Sequence, residues 1–249
     1  MNHQQLFNEK SQHYANIRPQ YPQEIYEYLA SICQEQNFVW DGACGNGQAS
    51  VGLGRYFAHV EATDISEQQI AHAIQNPKVT YTVQAAEKTN FSDNQFDLVT
   101  VAQALHWFDL NLFWTEVKRV LKPAGIFATW GYSWFSVDDQ VDATIKEIFL
   151  KILDPYWAPQ NKLLWDHYRQ IPLPFKQLPV PKIEMKMRWD LNQLFTYLQS
   201  WSATRLCIEE IGTDFLSVAY ESVKLVWGEE SKTKDVIMDF FMLVGQYQP

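Results

Sequence analysis

The run Asp41-Gly42-Ala43-Cys44-Gly45-Asn46-Gly47 carries residue types suited to holding a small ligand with backbone groups. Gly45 and Gly47 let the main chain pass close to a ligand and leave amide N–H groups facing it. Asp64 closes the next β-like run, where a carboxylate can accept the protons of both ribose hydroxyls. On its own, G-x-G also fits a tight turn with no ligand. A strand before it, a helix after it and an acidic end to the second strand together favour a nucleoside-type cofactor.

Two cofactor classes fit this spacing. Gly45-Asn46-Gly47-Gln48-Ala49-Ser50 nearly matches G-x-G-x-x-G/A, the pattern of an NAD(P)-dependent oxidoreductase. Asp41 argues for the other class. A carboxylate at the mouth of the loop is awkward beside a pyrophosphate and suited to an ammonium or sulfonium. Further along, His106 in Ala104-Leu105-His106-Trp107-Phe108-Asp109 is the candidate general base. A fixed structural histidine beside Trp107 is an equally open reading. The histidines show no H-x-x-H or H-E-x-x-H spacing, so no metal is expected.

The elements that must position these residues alternate strand and helix. A helix starts near Pro22, and Phe38-Val39-Trp40 reads as the first strand. His59 to Thr63 is the second strand, and Ser66 with Gln69 caps the helix that follows. Val79 to Val83, Phe96 to Val101 and Ile126 to Trp130 are strands three to five, with a helix from about Leu110 before the fifth. This rhythm predicts a doubly wound α/β fold with a mostly parallel sheet. A helix is expected over 138–153. Six of the eleven prolines fall between 154 and 182, which reads as an irregular cap. A half-exposed strand over Ile183 to Trp189, helices near 190–200 and 214–227, and a last strand from Val236 to Val244 complete the chain.

Composition sets the broad class. The 249 residues are 47% hydrophobic and 15% aromatic, with ten tryptophans, enough for a sizeable core and an aromatic pocket wall. A formal net charge of -9 argues against nucleic acid as the main partner. Cys33, Cys44 and Cys207 form no C-x-x-C pair and suit free thiols in a reducing compartment. No apolar run approaches membrane-spanning length, and the polar N-terminus lacks a signal-peptide core. The expectation is a soluble, cytoplasmic enzyme of open oligomeric state.

The stretches VWDGACGNGQAS, VEATDISEQQIAHA, VTYTVQAAEKTNFSDNQFDLVTVAQALHWFD and EVKRVLKPAGIFATW resemble class I S-adenosylmethionine-dependent methyltransferases. The likeness is greatest to the trans-aconitate methyltransferase-like, type 11 branch. YANIRPQYP and RWDLNQLFTYLQSWSAT extend the resemblance over nearly the whole chain. It implies a Rossmann-like sheet of seven strands with a helical cap insertion after strand five. The expected organisation is one methyltransferase domain over 1–249, with 1–21 closing over the site and 133–182 as the cap.

By position, the resemblance places Asp41, Ala43, Gly45 and Gly47 along the methionine end of S-adenosylmethionine. Asp64 would hold the ribose, Ile65 would lie against the adenine, and Ala86 and Glu87 would flank it. Gln103 would face the methionine portion, while Tyr14 and Arg18 close over the site. Ala43 stands where the family has its first loop glycine, which is tolerable if its φ stays negative. Tyr21, Trp107, Trp134 and Trp201 are candidate substrate residues, with Trp157 beside them, though each indole singly also suits core or cap packing. The implied product is S-adenosylhomocysteine and the implied substrate a small molecule, with a carboxylic acid as one candidate. A non-catalytic S-adenosylmethionine-binding module on the same fold is a further alternative.

Overall fold

The computed structural model describes residues 18–249. Its contacts divide the chain into two units. A sheet unit comprises Gln20–Ser133, Lys162–Glu184 and Phe240–Pro249; a helical unit comprises Trp134–Asn161 and Met185–Asp239.

The chain runs α1 (Gln23–Ile32), β1 (Phe38–Gly42), α2 (Gln48–Leu53), β2 (His59–Asp64), α3 (Glu67–Ala71), β3 (Val79–Val83), β4 (Phe96–Ala102), α4 (Leu110–Val120) and β5 (Leu121–Ser136). Then come α5 (Asp139–Ile145), α6 (Lys151–Leu153), α7 (Asn161–Trp165), β6 (Lys176–Gln177), β7 (Met185–Trp189), α8 (Leu191–Gln199), α9 (Ser202–Ile211), α10 (Asp214–Trp227) and β8 (Lys234–Gln246). Strand order is β3-β2-β1-β4-β5-β8-β6. The pairs β1–β2, β1–β4, β2–β3 and β4–β5 are parallel, and β8 pairs antiparallel with β6 and β7. The expected seven strands are present, with the two-residue β6 as an addition at the sheet edge.

Period-two alternation splits the core of the sheet unit. Val39, Leu98, Ile126 and Trp130 pack with Ile25, Leu29 and Leu53, while Trp40, Val99, Val101 and Phe127 pack with Phe113 and Val117. Both faces are therefore covered, which is why β4 is buried along nearly its whole length. Chain order reverses between β1 and β4, so the crevice at their carboxyl ends is the topological switch point. The glycine loop leaves β1 at that point.

The segment after β3 is tied to α4 by one buried carboxylate. Glu116 accepts from the Thr89 amide at 2.7 Å and hydroxyl at 2.6 Å, and from Arg119 at 2.7 and 2.9 Å. Arg119 also reaches Asp93 at 2.7 Å and the Phe91 carbonyl at 2.7 Å. This network gives the AEKTNFSDNQF stretch a set path without regular structure.

In the helical unit, Asp138 caps α5 and a π-helical turn carries it into α6. An Asp190–Gln193 capping box starts α8. Helix α9 has no counterpart in the sequence reading. Its buried positions are Ala203, Thr204 and Cys207, while Leu206 and Ile211 are exposed. Small and polar residues fill the inner face, so apolar periodicity does not mark it. Among the described residues, no helix is long and apolar enough to cross a membrane.

Gly52 lets α2 close on α1. A Cβ there would lie 2.2 Å from the ring of Tyr26, which is itself buried. Gly52→Ala is expected to lower stability by about 1–3 kcal/mol through overpacking, although alanine is normally favoured in a helix. Denaturant unfolding of the two proteins checks the sign.

Candidate active site

Asp41 is the most enclosed member of the glycine loop. The sequence reading puts its carboxylate at the loop mouth, whereas the structure buries it completely. Thr100 on β4 donates its hydroxyl to Oδ1 at 2.9 Å, and Ser50 in α2 donates to Oδ2 at 2.6 Å. The cause is strand register, which pairs Asp41 with Thr100 across β1 and β4. Burial raises the carboxyl to about 6, against the opposing pull of its two hydroxyl donors. Asp41 is thus a clamp beneath the loop.

The loop itself winds through left-handed backbone. Gly45 has φ +56° and Gly47 has φ +83°. A Cβ on Gly47 would strike the Tyr81 hydroxyl at 2.1 Å. At Gly45 such a Cβ would meet only Gln69 Oε1, in ordinary contact at 4.0 Å, so this side of the loop is the less crowded one. Ala43 also has a positive φ, 53°, so the condition under which alanine is easily tolerated there is not met. The Cys44 amide donates to the Thr63 carbonyl at 2.9 Å, which ties the loop to the end of β2 in this conformation.

Asp64 sits beside the less crowded side of the loop. Its Oδ2 accepts from the Gly45 amide at 2.9 Å and its Oδ1 from the Ser66 amide at 2.8 Å. A carboxylate has about four lone-pair sites, so two remain for a ligand. Ile65, next in sequence, is 78% exposed. Ala86 is buried, and Glu87 accepts from the Asp109 amide at 3.1 Å. Loop, carboxylate and exposed apolar surface therefore fit a nucleoside-bearing cofactor: backbone groups, a ribose-binding acceptor and a flat apolar wall.

Gln103 follows β4 with φ +59°. Its side-chain amide is committed to β5, donating to the Tyr132 carbonyl at 3.1 Å and accepting from the Tyr132 amide at 3.0 Å. Gly131 makes room for this clamp, since a Cβ there would lie 2.6 Å from Gln103 Oε1. Close by in sequence, Trp130 carries the single buried side-chain nitrogen or oxygen without a hydrogen-bond partner among the described residues.

His106 lies in a 3-10 turn (Leu105–Trp107) and is buried. Its Nδ1 is 2.8 Å from the Tyr168 hydroxyl. Burial lowers the imidazole to about 4, so the ring is neutral near pH 7. The neighbouring Trp107 is 54% exposed, with its ring 4.8 Å from His106.

The remaining predicted residues fall in both units. Tyr21 stands edge-on to Trp130 at 5.7 Å in the sheet unit. Trp134 and Trp201 are 6.1 Å apart in the helical unit, with Trp157 at 5.9 and 5.5 Å from them. Arg18 is exposed. Tyr14 lies outside the described residues. Sequence reasoning missed Ser50, Thr100 and Tyr168. A β1–β4 register would have exposed Thr100, but Tyr168 lies in a proline-rich stretch with no periodic signal.

A methyltransferase-domain family model matches residues 40–129, from β1 through the first half of β5. A Dictyostelium discoideum protein named as a methyltransferase is 32% identical over 96% of this chain and 94% of its own. The chain belongs to the class I methyltransferases. A solved structure described as a type II methyltransferase from Anaeromyxobacter dehalogenans superposes with a TM-score of 0.87. It is 34% identical and the match covers 93% of this methyltransferase and 99% of that chain. A Saccharomyces cerevisiae relative, named as an S-adenosylmethionine-dependent methyltransferase, is 27% identical over 50% of this chain and 46% of its own.

Two outcomes follow for the methyltransferase loop. The Asp41 carboxyl, raised to about 6 in the fold, holds its proton more tightly there than in the unfolded chain. Its contribution to stability is therefore full at low pH and declines as pH rises from about 4 to about 6. Relative to Asp41→Asn, the wild type is expected to lose roughly 2–3 kcal/mol across that window, measured by denaturant unfolding at each pH. At the left-handed Ala43, Ala43→Gly is expected to fold normally, while Ala43→Val costs more than about 1 kcal/mol; thermal melts compare them.

Proposed function

We propose that this methyltransferase moves the methyl group of S-adenosylmethionine to a small-molecule acceptor. The observation that carries the reading is the less crowded side of Gly45 next to the Asp64 carboxylate, which keeps acceptor sites unused. When bound, S-adenosylmethionine supplies an electrophilic methyl group on a sulfonium. Asp64 would hold the ribose hydroxyls, and Ile65 and Ala86 would line the adenine. The amides of Gly45 and Gly47 would border the methionine end. Asp41 acts from below, holding the loop to β4 and α2.

A carboxylic acid is the acceptor this reading favours. A carboxylate brings its own nucleophilic lone pair and needs no base. His106, lowered to about 4 by burial, is a weak base near neutrality. Trp107 and Tyr21 are proposed to shape the acceptor's apolar surroundings.

Calorimetry with S-adenosylhomocysteine is expected to show binding, weakened about 10- to 100-fold in Asp64→Asn by the loss of charge-assisted hydrogen bonds. Tight NAD(P) binding without S-adenosylhomocysteine binding would overturn the cofactor. Methyl ester formation from small acids supports the acceptor class. Turnover restricted to amines or phenols would remove the carboxylate, and binding without turnover on any acceptor would leave a cofactor-binding module.

A further inference from the structure

The turn before Tyr168 is built at a cost. The Tyr168 amide donates to the Leu163 carbonyl at 2.9 Å and the His167 amide to the Leu164 carbonyl at 2.9 Å. These are the paired bonds of a Schellman closure, whose left-handed residue is usually glycine. Here it is His167 with φ 53°, followed by Tyr168 with φ 56°. Two consecutive left-handed residues bearing side chains are strained, and such strain persists where the surroundings hold it. His167 stacks on Phe241 at 4.7 Å and Tyr168 meets the same ring edge-on at 5.1 Å. The result is a fully buried phenol 2.8 Å from His106 Nδ1.

The direction of that hydrogen bond follows from the burial of the phenol. Tyr168 is fully buried, and among the described residues the His106 ring is the partner its hydroxyl meets. A buried O–H left without an acceptor is costly, so the hydroxyl donates and His106 Nδ1 accepts. A neutral imidazole that accepts at Nδ1 carries its proton on Nε2.

We propose that Tyr168 is a positioning residue that fixes His106 as the Nε2–H tautomer, so that the ring offers a hydrogen-bond donor, not a base, to the methyl acceptor. The acceptor class follows: a molecule presenting an oxygen with a free lone pair and no proton to lose. Its oxygen lone pair forms the new O–CH3 bond as the C–S bond breaks, the bonding pair stays on sulfur, and no proton is transferred. Nε2–H holds that molecule by another acceptor atom, a geometry role for which the wrong tautomer would serve badly. The substrate half of this inference rests on the methyl-transfer reading above; the tautomer does not.

The test is 15N NMR of full-length protein labelled at histidine, with the His106 signals assigned by their loss in His106→Gln. In the wild type, Nε2 is expected to resonate as a protonated, pyrrole-type nitrogen and Nδ1 as a pyridine-type nitrogen. In Tyr168→Phe the two signals are expected to move toward each other as the tautomers mix. A pyridine-type Nε2 in the wild type overturns the proposal, as does a ring spectrum unmoved by Tyr168→Phe. Turnover with a panel of small acids, phenols and amines gives the second arm. A lost donor is expected to cut kcat about 100-fold in His106→Ala, while His106→Gln, which keeps an N–H but cannot act as a base, stays within about tenfold. Equal losses in both variants overturn the donor role. S-adenosylhomocysteine titrations accompany each variant, and absence of binding in the wild type marks failure of the methyl-transfer reading instead.

Discussion

The carboxyl of Asp41 joins three elements in one buried contact: β1, which carries it, β4 through Thr100, and α2 through Ser50. Everything at the carboxyl edge of the sheet is referenced to that point. Between Asp41 and Ser50 the chain must turn from strand to helix in a few residues, and it does so with left-handed backbone at Ala43, Gly45 and Gly47. A carboxyl taken wholly out of water is unfavourable unless hydrogen-bonded or neutralised. Two hydroxyl donors and a raised proton affinity together meet that demand. Alternative loop conformations would leave the acid unpaired, so the contact restricts the loop to one path.

Asp64 repeats the device one strand further out, with a different outcome. It too accepts from its surroundings, through the amides of Gly45 and Ser66. Both of those donors are backbone, and the carboxylate is only partly buried. It therefore retains acceptor capacity where Asp41 has been enclosed. Two aspartates near the ends of adjacent strands thus differ: one holds the loop, and the other keeps acceptor sites unused. On the opposite side of the switch point, Gln103 spends its amide on Tyr132, and Glu116 fixes the segment after β3.

His106 and Tyr168 show the same economy in an aromatic setting. The His106 ring meets a buried phenol that arrives from a distant, strained turn. A histidine alone in that turn would have a free choice of tautomer. With the phenol beneath it, one nitrogen is occupied, and the character of the other follows. The imidazole's weak basicity then accords with the proposed carboxylate acceptor, which needs no base.

Much of this architecture was legible from residue order alone. Strand and helix boundaries from Phe38 to Val120 follow from apolar runs, the cap at Ser66, and glycines, because these are local preferences that the neighbouring few residues decide. That the glycine loop and Asp64 lie side by side also follows from such spacing. Tertiary structure decided the rest. Only the β1–β4 register turned Asp41 from a mouth residue into a buried clamp. The hydrogen bond from Cys44 to Thr63 accompanies the left-handed conformation of Ala43. Helix α9 buries small residues that carry no periodic signature, and Tyr168 meets His106 across 62 positions of sequence. Those are long-range contacts, and their partners are chosen by packing in three dimensions, which no local pattern in the chain encodes.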